Sequence, residues 1–102
     1  MSHDDVDNDV ECGTGWKSLY APLMERSRAE GAAVLQVKEK MGGLRFYVMG
    51  GSEALHEAIA DAERRSLTLC EQCGDSGVLR KGGGQMKTLC DQHAKGRDAS
   101  GS

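Results

Sequence analysis

The chain has 102 residues, the length of a single domain with at most a small appended module. Only 38% of them are hydrophobic and 4% aromatic, which is thin material for a core and makes a metal staple useful. No long apolar run occurs, so neither a membrane span nor a secretory signal is expected, and a cytoplasmic location follows from that reading. The formal net charge of −3 is unevenly placed: residues 1–11 hold Asp4, Asp5, Asp7, Asp9 and Glu11 with no Lys or Arg, leaving 13 basic and 11 acidic residues for the rest. The body is therefore mildly basic behind an acidic leader.

In chain order, residues 1–12 read as a disordered acidic tail, being polar and without periodicity. Residues 13–68 form the predicted body. Its first helix runs from Trp16 to about Glu30, where Trp16, Leu19, Leu23 and Met24 recur at three-to-four spacing. Pro22 either kinks that helix or lies in the first turn of one starting near Tyr20. Gly31 is the expected stop.

Residues 33–50 predict a β-hairpin. Leu35, Val37, Leu44, Phe46 and Val48 alternate with polar neighbours and should face inward. Gly42 and Gly43 are expected to supply the positive φ values of the turn. The outer face would carry Gln36, Lys38, Lys40, Arg45 and Tyr47. A second helix is predicted from Ser52, a suitable N-cap, to Leu67, with Leu55, Ala58, Ile59 and Ala62 as its apolar stripe. The fold class is α+β: helix, hairpin, helix, then a small metal module, which Leu67 and Leu69 should dock onto the body.

That module is the strongest signal. Cys70 and Cys73 are separated by two residues, and so are Cys90 and His93, sixteen residues further on. A zinc ion takes four tetrahedral thiolate or imidazole ligands, and each pair can meet one ion through a tight turn, eased after Cys73 by Gly74. In a reducing compartment such cysteines are metal ligands rather than disulfides. A thioredoxin-like redox pair would need a surrounding βαβ pattern, which the sequence lacks. Two short strands, 77–80 and 85–89, would join the pairs, with a short helix from Asp91 to Lys95 carrying the second pair. Four protein ligands close the shell, so the expected zinc is structural, worth roughly 10–16 kcal/mol of apparent binding free energy. Residues 69–96 are read as this zinc finger and residues 97–102 as a flexible C-terminus. Cys12 is expected to be a free thiol in a flexible segment, and His3 and His56 surface or packing residues.

The order of knuckle, hairpin and helix over residues 69–96 resembles the treble-clef class of zinc fingers, with a zinc ribbon as the alternative. More broadly, the stretch from Gln36 to Tyr47, together with Glu63 to Leu67, Cys70-x-x-Cys73-Gly74 and Thr88 to Ala94, resembles a family of small uncharacterised zinc-finger proteins of bacteria and their phages. That resemblance implies a real zinc-containing domain and brings no activity with it.

The candidate partner-binding residues are Lys38, Lys40, Arg45 and Tyr47 on the hairpin and Arg80, Lys81 and Lys87 on the metal module. Cations would meet phosphate and the tyrosine would stack on a base. The competing reading is a solvated hairpin face kept soluble by its charges. Three thiolates around a zinc ion would add about −1 locally, which weakens the argument from charge to nucleic acid. A non-catalytic interaction module is expected, monomeric, with nucleic acid or a protein as partner. A phage-type protein acting on a host protein is one version of this. A small nuclease or hydrolase on a zinc framework has less support, because no acid, base or nucleophile set remains once His93 is a ligand. No small-molecule substrate is evident.

Overall fold

The computed structural model describes residues 10–82 and 85–94. Strand β1 (Val10–Glu11) leads through a 3-10 turn at Thr14–Trp16 into helix α1 (Lys17–Ala29). The hairpin follows as β2 (Ala33–Lys40) and β3 (Gly43–Met49), then α2 (Glu53–Ser66). A second hairpin, β4 (Val78–Gly82) and β5 (Gln85–Leu89), precedes a closing 3-10 turn at Asp91–His93. This is the α+β architecture expected. One sheet has the order β1-β2-β3, with β1 parallel to β2, and β4-β5 is a separate sheet.

Both long helices pack against one face of the three-stranded sheet. The core between them holds Trp16, Leu19, Leu23, Val37, Leu44, Phe46, Leu55 and Ile59, and Trp16 is fully buried as expected. Helix α1 starts at Lys17, not near Tyr20, so Pro22 sits inside it. Proline cannot donate to the carbonyl four residues back, which here belongs to Ser18. Both residues are exposed, so the lost bond falls on the side facing water. Gly31 ends the helix at φ 76°, with Gly31 N–H bonded to the Arg28 carbonyl and Ala32 N–H to that of Ser27, a Schellman motif. Ser52 caps α2 by accepting the Leu55 N–H at 3.1 Å.

Four expectations about the tail and the body need correction. Val10 and Glu11 lie in the stretch read as a tail, yet they pair with Val37 and Lys38; residues 1–9 are outside those described. Leu35 does not face inward: the register slips between Val34 and Gln36, a bulge that turns Val34 towards the core and leaves Leu35 53% exposed. The hairpin turn is Met41-Gly42, at φ 55° and 85°, a type I′ turn; Gly43 is already in β3, paired with Lys40. Leu67 is 43% exposed and anchors nothing in the core, because the chain leaves α2 through a turn in which Leu67 and Thr68 N–H groups bond back to Arg64 and Arg65.

The free edge of β3 is closed by α2. Ser66 Oγ accepts the Leu44 N–H at 2.9 Å, and Glu63 Oε2 accepts that of Phe46 at 3.0 Å. Those two donors would otherwise invite another strand. Among the described residues no helix packs on the opposite face of the sheet, where Tyr47 and Lys40 are exposed.

Candidate metal centre and the open sheet face

The knuckle at Cys70–Cys73 is shaped by its own backbone. Cys70 N–H donates to Asp75 O at 2.7 Å, Gly74 N–H returns to Cys70 O at 2.8 Å, and Gly74 takes φ 85°. A Cβ on Gly74 would also lie 2.9 Å from the Gly15 carbonyl, so glycine is required there by conformation and by space. Cys90 caps the closing 3-10 turn, which swings His93 back over it.

These elements bring Cys70, Cys73, Cys90 and His93 together, with one donor atom from each lying within 4.8 Å of all the others. Cys73 Sγ and Cys90 Sγ are 3.7 Å apart; His93 Nδ1 lies 3.6 Å from Cys70 Sγ and 3.2 Å from Cys90 Sγ. Metal–sulfur bonds near 2.3 Å place tetrahedral sulfurs about 3.8 Å apart and a sulfur–nitrogen pair about 3.6 Å apart. These three separations fall at or inside those edges and the other donor pairs lie within 4.8 Å, so the cluster suits a four-coordinate ion. The cysteines are free thiols, Cys73 and Cys90 being well beyond disulfide bonding distance. Burial works against the Cys70 thiolate. Hydrogen bonds from the backbone N–H groups of Cys90, Cys73 and Gln72 more than offset this and bring its pKa down to about 6. The hydrogen bond from the Asp75 backbone favours the Cys73 thiolate, but desolvation and the bonds to Cys90 and Cys70 prevail and push that thiol up to about 11, so the thiolate character of the pair is concentrated on Cys70. Cys70 is buried, whereas Cys73 and His93 are exposed.

The helix expected from Asp91 to Lys95 is, among the described residues, the single 3-10 turn Asp91–His93. The strands match more closely, β4 running on through Lys81 and Gly82.

The knuckle is wired to the body. Glu71, between the first two ligands, is buried; its Oε2 accepts the Gly13 N–H at 2.9 Å and its backbone carbonyl accepts the Gly15 N–H at 2.7 Å. A Cβ on Gly15 would lie 2.2 Å from the Cys70 carbonyl oxygen. Trp16 Nε1 donates to Leu69 O at 2.9 Å. On the other side, Thr88 Oγ1 donates to Gly42 O at 2.7 Å, and Lys87 Nζ lies 3.0 Å from Glu39 and 3.5 Å from Glu71. None of this network was anticipated. Its one sequence signal was Gly13-x-Gly15 before the tryptophan, two glycines where a backbone approaches closely.

That network removes two residues from the expected binding set. Arg80 is only 6% exposed, donating through Nε to Leu89 O and through an Nη to Asp91, both at 2.8 Å, so it ties the hairpin to the ligand-bearing turn. Lys87 is held between two carboxylates; burial opposes its charge, but the bond to Glu39 and the Glu71 charge prevail and raise its pKa above 10.5. Lys81 is exposed on β4, in the other sheet.

Lys38, Lys40, Arg45 and Tyr47 do come together on the open face. Lys38 is directly opposite Arg45, Gln36 is opposite Tyr47, and Tyr47 is 41% exposed. Glu11 flanks Lys38 from β1. None of the three cations forms an ion pair with another described residue.

Cys12 is outside the metal cluster, as expected, but it is half-buried rather than in a flexible segment. Burial, with the nearby Glu71 and Glu39 carboxylates, pushes its thiol up to about 12. His56 is exposed, its Nε2 2.8 Å from Gly50 O, and His3 lies outside the described residues. No helix is long and apolar enough to cross a membrane among the described residues. No protein-family model matches the chain, and no curated protein or solved structure matches it either.

Proposed function

We propose that the chain is a zinc-structured, non-catalytic binding module whose open sheet face holds the phosphates of a nucleic acid. Zinc is favoured by a donor set of three thiols and one imidazole gathered within 4.8 Å of one another. A role in structure follows from the four protein donors, which leave no coordination position for a substrate. The remaining nucleophile candidate, Cys12, is held as a neutral thiol and so is poorly suited to catalysis.

One observation carries the partner. Lys38 and Arg45 are directly opposite each other on two hydrogen-bonded strands. Like charges in that position destabilise a sheet, and a solvated face has no need to put them there. An anionic ligand turns the same pair from a cost into a site. Lys40 continues the row, and Tyr47 offers an aromatic ring beside it.

The test is a titration of zinc-loaded protein with single- and double-stranded oligonucleotides at two salt concentrations. Binding should weaken steeply as salt rises, because each phosphate contact releases counterions. No binding at low salt, or binding indifferent to salt, overturns the reading and leaves a protein partner in its place.

A further inference from the structure

A cleft of about 330 Å³ opens where the tip of the β2–β3 hairpin meets the metal-module hairpin, lined by Glu39, Lys40, Met41, Gln85 and Met86. Its size is at the small end of ligand pockets. The two hairpins are fixed against each other by the Thr88–Gly42 hydrogen bond and by Leu79, whose side chain fills the space where a Gly42 Cβ would go. Those two contacts set the placement of the hairpins on either side of the cleft.

Met41 is the unusual member. It is the one non-glycine residue at positive φ among the described residues, and it is 65% exposed. Asparagine, aspartate or glycine suits the first central position of a type I′ turn; a methionine is strained there. Its thioether also gains little from burial. Neither stability nor solubility accounts for methionine at this position, whereas contact with a ligand does. Met86 lines the same cleft from β5 and is half-buried.

The charges around the cleft point the same way. One oxygen of Glu39 accepts the Gly42 N–H at 2.8 Å and the other is paired with Lys87 at 3.0 Å, so the local negative charge is already neutralised. Lys40 lies two residues beyond Lys38 on β2, hence on the same sheet face, and places an ammonium where the cationic row meets the cleft. Two polarisable thioethers beside a cation suit a flat ring with apolar faces and polar edges.

The geometry points to this cleft as the seat of one unpaired nucleobase from a single strand whose neighbouring phosphates lie on Lys40, Lys38 and Arg45. This rests on the nucleic-acid reading above and adds the class of nucleic acid. In a duplex the bases are stacked and paired and cannot enter.

Three fluorescent probes test it at one low salt concentration: a single-stranded oligonucleotide, the same strand made abasic throughout, and the duplex. Wild-type protein should bind the base-bearing single strand about tenfold tighter than the other two, the effect of one stacked base. Met41→Asn should remove most of that advantage while leaving abasic binding unchanged. Its melting temperature should stay level or rise, since asparagine suits the turn. Equal binding of the base-bearing and abasic strands, or an unaltered advantage in Met41→Asn, overturns the cleft and leaves the phosphate face standing. Failure of all three probes to bind overturns both.

Discussion

The Glu71 carboxylate accepts the backbone N–H of Gly13 at 2.9 Å across 58 residues of sequence. Glu71 stands next to Cys70 of the candidate metal cluster, and Gly13 follows strand β1 and Cys12 directly. The metal site and the start of the fold are thereby one mechanical unit. A metal that fixes the knuckle also fixes where β1 lies on β2.

Metal removal should therefore reach beyond the metal module. One zinc per chain is expected by elemental analysis, and chelation should unfold residues 69–94, whose few apolar side chains cannot hold them together. Cys12 should then change from an inert to an alkylatable thiol as β1 detaches. Mass spectrometry after brief iodoacetamide treatment reads this out. A chelated protein in which Cys12 stays as protected as in the loaded form would contradict the coupling. Cys90→Ser should reproduce the chelated state at zinc concentrations that saturate the wild type.

Glu71→Ala removes the acceptor of Gly13 and one of the two carboxylates around Lys87. It leaves a part-buried N–H without its partner, at a cost of about 1–3 kcal/mol. Urea denaturation of the zinc-loaded protein should show that loss with little change in the slope. Asp61→Ala offers a control, because its pairs with Arg64 and Arg65 are exposed and contribute little.

Stability should fall on the alkaline side, and two groups give that direction. Lys87 has a folded pKa raised above its ordinary 10.5, so its contribution is fully present below 10.5 and is lost as pH rises through the higher folded value. Cys12 is raised from 9.0 to about 12, so the unfolded chain ionises first and folding weakens progressively between those values. Denaturation from pH 8 to 11 should show declining stability, with a shallower decline in Cys12→Ala. An identical decline in that variant would remove Cys12 from the account.

The parts legible in the sequence are those set by local pattern. The α2 cap at Ser52, the apolar stripe of that helix, the alternation in β3 and the two residue pairs that make up the Cys3His cluster all follow from spacing within a few residues. What escaped depends on tertiary contact. The bulge that expels Leu35 is invisible to strict alternation, because period-two reading assumes no inserted residue. Lys87 and Arg80 looked like surface cations because their partners, Glu39, Glu71 and Asp91, lie 48, 16 and 11 residues away. Val10 and Glu11 looked like tail because a two-residue parallel strand has no pattern of its own.

The open face gives the prediction in which stability and binding should move in opposite directions. Lys38 and Arg45 repel each other across the β2–β3 pair, and Glu11 offsets only the Lys38 side. Neutralising Arg45 alone, as Arg45→Gln, should relieve that repulsion and stabilise the free protein by about 0.2–1 kcal/mol. The same change should weaken binding of any oligonucleotide and reduce the slope of log affinity against log salt by about one unit, the share of one phosphate contact. Lys38→Gln together with Arg45→Gln should reduce it by about two. The charge of residues 1–9 enters with the opposite sign: deleting them removes Asp4, Asp5, Asp7 and Asp9 while sparing β1, and should tighten binding at low salt. Melting curves of the free variants and anisotropy titrations at several salt concentrations measure both effects. If Arg45→Gln lowers stability and leaves the salt slope untouched, the pair serves the fold and not a polyanion.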